Sequence, residues 1–474
     1  TIGAAGLIGY RLSAGGGAAA VSDTSLAVLP FTNEVGSDEL DYLANGMSTA
    51  IRDGLSRNAA MTVVARSSSE AVVEEGLSTE QIAERLNVAS LLEGRVQRGL
   101  DGSVQLVTTL VDARRGVARR VIEQVYRSDA AIEMRDAIVR MVSAELSVQE
   151  ATGEAGRASV PEAFDEYMKG RDVLRDTGSL ESIEQARRHF ESAMALDPAY
   201  SEPVMFNAEI HMILGVYEAD AETARALKDR ALLLARKAVE LAPNDPQTHV
   251  VLGYVISILE LDYAAAAEPF ERAKAIGLNS ADGLQRYALY LLSIGQIDTM
   301  LDVTKRAQSL DPLNMGIREI VGMGYAAMGH YDKAVAAFER VLARNPDRYL
   351  TRARLGSALI FGGQVEAGLA QCALELNEMD RLPCQAFAAV RQGDRDGAET
   401  ALRTLIDTFG DPSAYQQAQV LAQLGRGEDA IATLRKAETL RDTGLSQLLV
   451  DPALAPIRDD PEYKAMLVRF GLAG

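Results

Sequence analysis

The chain has no tryptophan, only 5% aromatic residues, two cysteines and four histidines among 474 residues. Each shortage excludes something. Scarce aromatics argue against a ring-filled β core, and abundant alanine, leucine, glutamate and arginine favour helices packed through small side chains. Cys372 and Cys384 are too few for a disulfide framework or a four-cysteine metal site. His189, His211, His249 and His330 are scattered without metal-ligand spacing, so no metal or cofactor is expected. Positive charge is also short. A formal net charge of −19 repels phosphate backbones and argues against a nucleic-acid partner for this region. Long apolar runs are missing: Ile2 to Tyr10 is nine residues, where a bilayer needs ~20. Arg11 and a Gly/Ala-rich stretch to Ala20 follow it. Two readings of residues 1–23 stay open: the end of a single N-terminal membrane anchor, or a flexible linker left by a vector or signal peptide.

The length exceeds a single core and implies two or more domains. Residues 24–150 read as a small α/β unit. Leu26 to Phe31 is a buried strand closed by a proline. From Asp38 to Arg57, Leu40, Leu43, Met47, Ile51 and Leu55 make one helical face. Met61 to Ala65 is a second strand, and Thr79 to Leu86 a helix with Ser78 and Gln81 placed for a capping box. Three strands follow, Leu91–Gln97, Val104–Val111 and Val117–Tyr126, joined by turns at Leu100-Asp101-Gly102 and Arg114-Arg115-Gly116. A helix from about Ala130 to Leu146 closes the order βαβαβββ. Ser67-Ser68-Ser69 lacks the surroundings of a nucleophile elbow or a phosphate loop, so turn and cap roles are expected.

The phrases Leu26–Phe31, Tyr42-Leu43-Ala44-Asn45-Gly46-Met47, Val63–Ser69, Leu91–Val96 and Leu106–Gly116 resemble the TolB-like domain. That resemblance implies a bacterial membrane protein: a cytoplasmic winged-helix or nucleotide-cyclase effector, one membrane helix, then periplasmic TolB-like and repeat regions. Asn45, in place of the usual acidic residue, and a missing tryptophan in Val117–Tyr126 depart from the family pattern.

After a linker at 151–160, residues 161–440 show a period of 34. Units begin at Ala281, Met315 and Tyr349, and in the second Gly322, Tyr325, Gly329, Tyr331, Ala334, Phe338 and Pro346 fall on positions 8, 11, 15, 17, 20, 24 and 32. Positions 8 and 20 must be small for paired helices to approach, position 24 fills the space beside them, and proline at 32 ends the second helix. This pattern resembles the tetratricopeptide repeat (TPR). About eight repeats are expected, the second stretched by an Ala/Glu-rich insertion, with 441–474 as a helical cap. The fold class is therefore α+β overall: a TolB-like α/β domain followed by an all-α superhelical solenoid.

No acid–base, nucleophile or metal constellation is present, so an enzyme is not expected. In peptide-binding TPR proteins the concave face is lined by the first helix of each repeat. Here Tyr254, Ile258, Leu289, Leu292, Met323, Ile360 and Phe361 fall at or near those positions, without Lys or Arg to clamp a C-terminal carboxylate. Such an apolar, slightly acidic groove would suit an amphipathic or extended apolar segment of a protein or peptide partner; alternatively these residues pack inside a tight superhelix. Cys372 and Cys384 lie on consecutive helices, as a disulfide or as two buried thiols. The expected role is a periplasmic sensing or interaction scaffold anchored to the inner membrane, as a homodimer or part of a larger complex. Its TPRs would reach outward from the TolB-like domain. A constitutive structural subunit is the alternative.

Overall fold

Proline splits the first strand. Pro30 has no N–H for the ladder, so the apolar run becomes β1 (Ser25–Val28) and a short β2 (Thr32–Asn33), both paired in parallel with β4 (Ser90–Arg98). The structure, a computed structural model, describes residues 21–37, 40–149, 155–174, 180–218 and 220–472. The anchor-or-linker reading of the N-terminus falls almost wholly outside the described residues, as do 151–154 of the expected linker.

The sheet has the order β3-β1-β4-β5-β6, with β3 at Thr62–Val64, β5 at Val104–Asp112 and β6 at Val117–Val125. β1 runs parallel to β3 and β4; β4–β5 and β5–β6 are antiparallel. Helices α1 (Asp41–Ser56) and α4 (Ala131–Glu145) cover one face. On the other face lie α2 (Arg66–Glu74) and α3 (Thr79–Leu86), and Ser78 and Gln81 form the capping box of α3. Helix α2 is not anticipated by the sequence pattern. Its serines occupy a first turn rather than a loop.

Among the described residues, eight antiparallel helix pairs follow. They are α5 (Pro161–Val173) with α6 (Leu180–Leu196), α7 (Ser201–Tyr217) with α8 (Ala221–Leu241), α9 (Pro246–Leu259) with α10 (Tyr263–Ile276), and α11 (Ala281–Ser293) with α12 (Ile297–Leu310). Next come α13 (Met315–Ala327) with α14 (Tyr331–Arg344), α15 (Thr351–Phe361) with α16 (Val365–Ala373), α17 (Glu378–Gln392) with α18 (Arg395–Phe409), and α19 (Ala414–Gln423) with α20 (Gly427–Leu440). The extra length of the second repeat goes into its helices: α7 has 17 residues and α8 has 21.

Position 8 meets position 24 in each well-formed pair. A Cβ added to Gly170, Gly253 or Gly322 would lie 2.7, 2.8 or 2.6 Å from the ring of Phe190, Phe270 or Phe338. The turns between paired helices need a left-handed residue, supplied by glycine in Gly329 (φ 73°) and Gly363 (φ 87°).

The α/β unit does not stand apart from the repeats. Phe164, Tyr167 and Met168 of α5 share one core with Leu43, Met47 and Ile51 of α1 and with Ile138 and Val142 of α4. Gly46 allows this approach, since a Cβ there would be 2.6 Å from the Met168 Cβ. The solenoid runs past the α/β unit and contacts it as far as the fifth repeat. Arg57 pairs with Glu202, the Asn279 amide donates to the Met61 carbonyl (2.8 Å), and Arg344 pairs with Glu75 (3.0 Å). Ser67 and Ser68 donate to the buried Asp311 carboxylate at 2.6 and 2.5 Å.

The C-terminal segment closes the other end, through 3-10 turns at Thr443–Gln447 and Pro452–Ile457 and helix α21 (Pro461–Arg469). It also turns back onto the third repeat. The Arg441 guanidinium donates to the Leu259 carbonyl (2.7 Å) and Tyr263 N–H to the Phe470 carbonyl (2.9 Å). Repeats three to eight and the cap thereby share one apolar cluster. No helix of the described residues is long and apolar enough to cross a membrane.

Candidate functional site

In repeats three to eight the first helix turns one face inward, and these faces together line a cavity of about 690 Å³. Its walls come from α9, α11, α13, α15, α17 and α19, and residues 442–453 of the cap close one side. Six of the seven residues expected there line it: Tyr254, Ile258, Leu289, Leu292, Met323 and Phe361. Ile360 does not. It is 1% exposed and packs toward the partner helix, where a Cβ on Gly368 would lie 2.5 Å from its Cγ1. Adjacent helical residues point about 100° apart, so Phe361 takes the inward direction and Ile360 belongs to the core.

Aromatic contacts stiffen the apolar wall. Phe361 lies 5.4 Å from Phe387 and 6.2 Å from Tyr331 between ring centroids, and the Arg391 guanidinium sits 5.5 Å from the Phe361 ring. The polar wall contains two cations that the sequence pattern misses. Arg348 and Arg354 line the cavity, but both pair with the buried Glu319, at 3.5 and 2.6 Å, and Thr351 donates to the same carboxylate at 2.7 Å. They start the sixth repeat, where Leu350 adopts φ 62° and shifts the helix start to Thr351. The charged lining is Glu319, Asp380, Asp442 and Asp451 against these two arginines, four carboxylates to two cations.

Burial is the main cause that raises two of these acids. The Asp380 carboxyl is pushed up to about 6, with Glu375 adding to burial while the Gln416 hydrogen bond and Arg354 oppose it. Asp442 is raised by burial against hydrogen bonds from the N–H groups of Gly444 and Tyr415. Asp451 accepts from the Tyr415 hydroxyl (2.8 Å) and the Gln419 amide (2.7 Å), which ties the cap to α19.

Cys372 of α16 and Cys384 of α17 are joined in a disulfide with Cα atoms 5.6 Å apart. Both are buried, Cys384 borders the cavity, and a Cβ on Gly356 would lie within 2.8 Å of both sulfurs. The bridge therefore fills the position 8 to 24 contact that phenylalanine makes in other repeats. The histidines stay apart: His189 meets Glu166 (2.8 Å), while His211 and His249 meet the Asn207 and Pro243 carbonyls. Among the described residues, no group of three His, Cys, Asp or Glu side chains could hold a metal ion.

A protein named Putative adenylate cyclase 3, from Rhizobium meliloti (strain 1021), is 28% identical over 239 residues, spanning 49% of this chain and 40% of that relative. Among solved structures, YrrB, described as a TPR protein with an unusual peptide-binding site, is 21% identical. The likeness covers 45% of this chain and 97% of YrrB at a TM-score of 0.30. PilF of Pseudomonas aeruginosa is 19% identical over 46% of this chain and 97% of its own, at a TM-score of 0.34. Residues 322–377 and 385–444 match the family described as tetratricopeptide repeat, so these stretches of the helical part carry tetratricopeptide repeats.

Proposed function

We propose that this chain is a non-catalytic protein-interaction and sensing scaffold of a membrane-anchored bacterial signalling protein. The observation that carries the reading is the groove: an apolar, net acidic cavity of about 690 Å³ spanning six first helices of the repeats. It suits one face of an amphipathic helix or an extended apolar segment with basic flanks. The TolB-like resemblance of residues 24–150 supports a periplasmic setting behind an N-terminal anchor, and a disulfide between the two cysteines suits an oxidising compartment. The relative named as a putative adenylate cyclase extends well beyond the matched stretch, which supports a setting beside an effector domain. Partner binding would then act by shifting the geometry of the solenoid, as monomer or homodimer, against the α/β unit.

The alternative, a constitutive subunit of a larger membrane complex, is favoured by the cap's closure over one side of the groove. The test is affinity capture of the full anchored protein beside its Met323→Glu and Phe361→Glu variants. A substoichiometric partner lost from both variants, with helicity unchanged, supports the sensing reading. A stoichiometric multi-subunit complex retained by both favours the structural one.

A further inference from the structure

A second cavity lies far from the groove, between the α/β unit and the first repeat. It is small, about 10 Å³, room for one oxygen-sized group. Its lining is Pro30, then Asn45, Ser48, Thr49 and Arg52 of α1, then Arg66 and Glu70 of α2, then Arg171 and Asp172 of α5. Residues 45, 48, 49 and 52 share one helical face by their spacing.

Arg52 is the unusual member. It is 4% exposed, and Nη2 donates to the Val28 carbonyl at 2.9 Å, while Nε and Nη1 have no protein acceptor. The other guanidiniums are already paired: Arg66 with Glu70 (2.9 Å), and Arg171 with Asp53 (2.6 Å) and the Tyr167 hydroxyl (2.7 Å). Asp172 accepts from the Asn45 amide at 2.9 Å. With Asp53, which pairs with Arg171 from just outside the lining, three guanidiniums face three carboxylates, so what is unmet is the hydrogen-bonding of the Arg52 Nε and Nη1 donors. Burial pushes Arg52 down to about 10, and Arg66 and Arg171 add to this against Asp53 and Glu70. It stays charged at neutral pH. Buried charges are ordinarily paired, because an unpaired one costs several kcal/mol or more.

The connection leaving β1 is α1, on one face of the sheet; the connection leaving β3 is α2 and α3, on the other. The cavity lies at the carboxyl ends of these two neighbouring parallel strands. Pro30 follows β1 there and Arg66 follows β3.

We propose that this cavity binds a small oxyanion, the carboxylate or phosphoryl end of a small molecule, with one oxygen seated on Nε and Nη1 of Arg52. Arg171 and Asp172 belong to the first repeat, so an occupied site ties the α/β unit to the solenoid. This inference does not depend on the groove.

The test is calorimetric titration of the full chain with inorganic phosphate and, separately, with acetate, at constant ionic strength in a bulky sulfonate buffer. Thermal unfolding and hydrogen exchange of α1 and α5 are followed alongside. The expected result is saturable one-to-one binding of at least one anion, a rise of a few degrees in Tm, and added protection on both helices. Phosphate alone binding assigns a phosphoryl ligand; acetate alone assigns a carboxylate. Arg52→Met should abolish the titration without lowering the Tm in anion-free buffer, and Arg66→Gln should weaken it several-fold. Failure of both anions to saturate overturns the proposal, as does binding undiminished in Arg52→Met. Should that variant not fold, undiminished affinity in Arg66→Gln overturns it.

Discussion

The core shared by the α/β unit and the first repeat leaves room for only one oxygen-sized group, whereas the core of repeats three to eight surrounds a cavity of about 690 Å³. In the first, Tyr167 gathers Phe190, Tyr200 and Phe206 at centroid distances of 5.3 to 6.2 Å. In the second, the first helices turn aromatic and methionine side chains toward the cavity they line. The difference teaches where each region can act. A nearly filled core transmits rigidity, while a lined cavity accepts a partner at the cost of apolar surface held only partly buried.

Four measurements break or sharpen that comparison. The largest effect should come from Phe164→Ala, since this ring is fully buried where α5 meets the α/β unit. A loss of about 4 kcal/mol is expected. Hydrogen exchange should show the sheet and α5 deprotected together while α13 to α20 stay protected; separate loss would mean two cores.

Next is the disulfide. Its cysteines are 12 residues apart, so reduction or the Cys372→Ala/Cys384→Ala pair should cost about 3 kcal/mol by loop closure. Denaturant midpoints under oxidising and reducing conditions check this, with fraying confined to repeats six and seven.

Third is pH. Asp380 has an ordinary value of 3.8 and is pushed up to about 6 when folded. The folded protein therefore holds this proton more tightly than the unfolded chain. Its stabilisation is present below about pH 4, is lost as pH rises to about 6, and stays lost above. Asp380→Asn should be more stable than the parent by about 2 kcal/mol at pH 8, after discounting for partial exposure, with no difference at pH 4. Unfolding curves across that range decide it. The smallest effect is Ser68→Ala. It removes a hydroxyl that donates to Asp311 and accepts from the Leu313 N–H (3.0 Å), at about 1 kcal/mol. Exchange rates of α2 and α12 should rise together.

The repeat pattern was legible because its causes are local. Gly322 and Phe338 meet within one helix pair, and the capping box at Ser78 and Gln81 spans three residues. Most of the groove could be read for the same reason, as an inward direction at fixed repeat positions. Ile360 was misplaced because one residue of phase separates core from groove, and Leu350 shifts that repeat's start. Arg348, Arg354 and helix α2 left no periodic apolar signal. The serines of α2 find their role only beside Asp311, 243 residues away from Ser68.

The sequence by itself determined the helix pairs and their register, through glycine, phenylalanine and proline at short spacings, and the chain order of the main strands, but not their order in the sheet. Tertiary structure decided how those pieces close. The α/β unit docks along the repeats, the cap returns to the third repeat 182 residues away, and Arg52 is buried where two domains meet. Contacts at such separations follow from the accumulated curvature of many helix pairs, and no single stretch of residues encodes that sum.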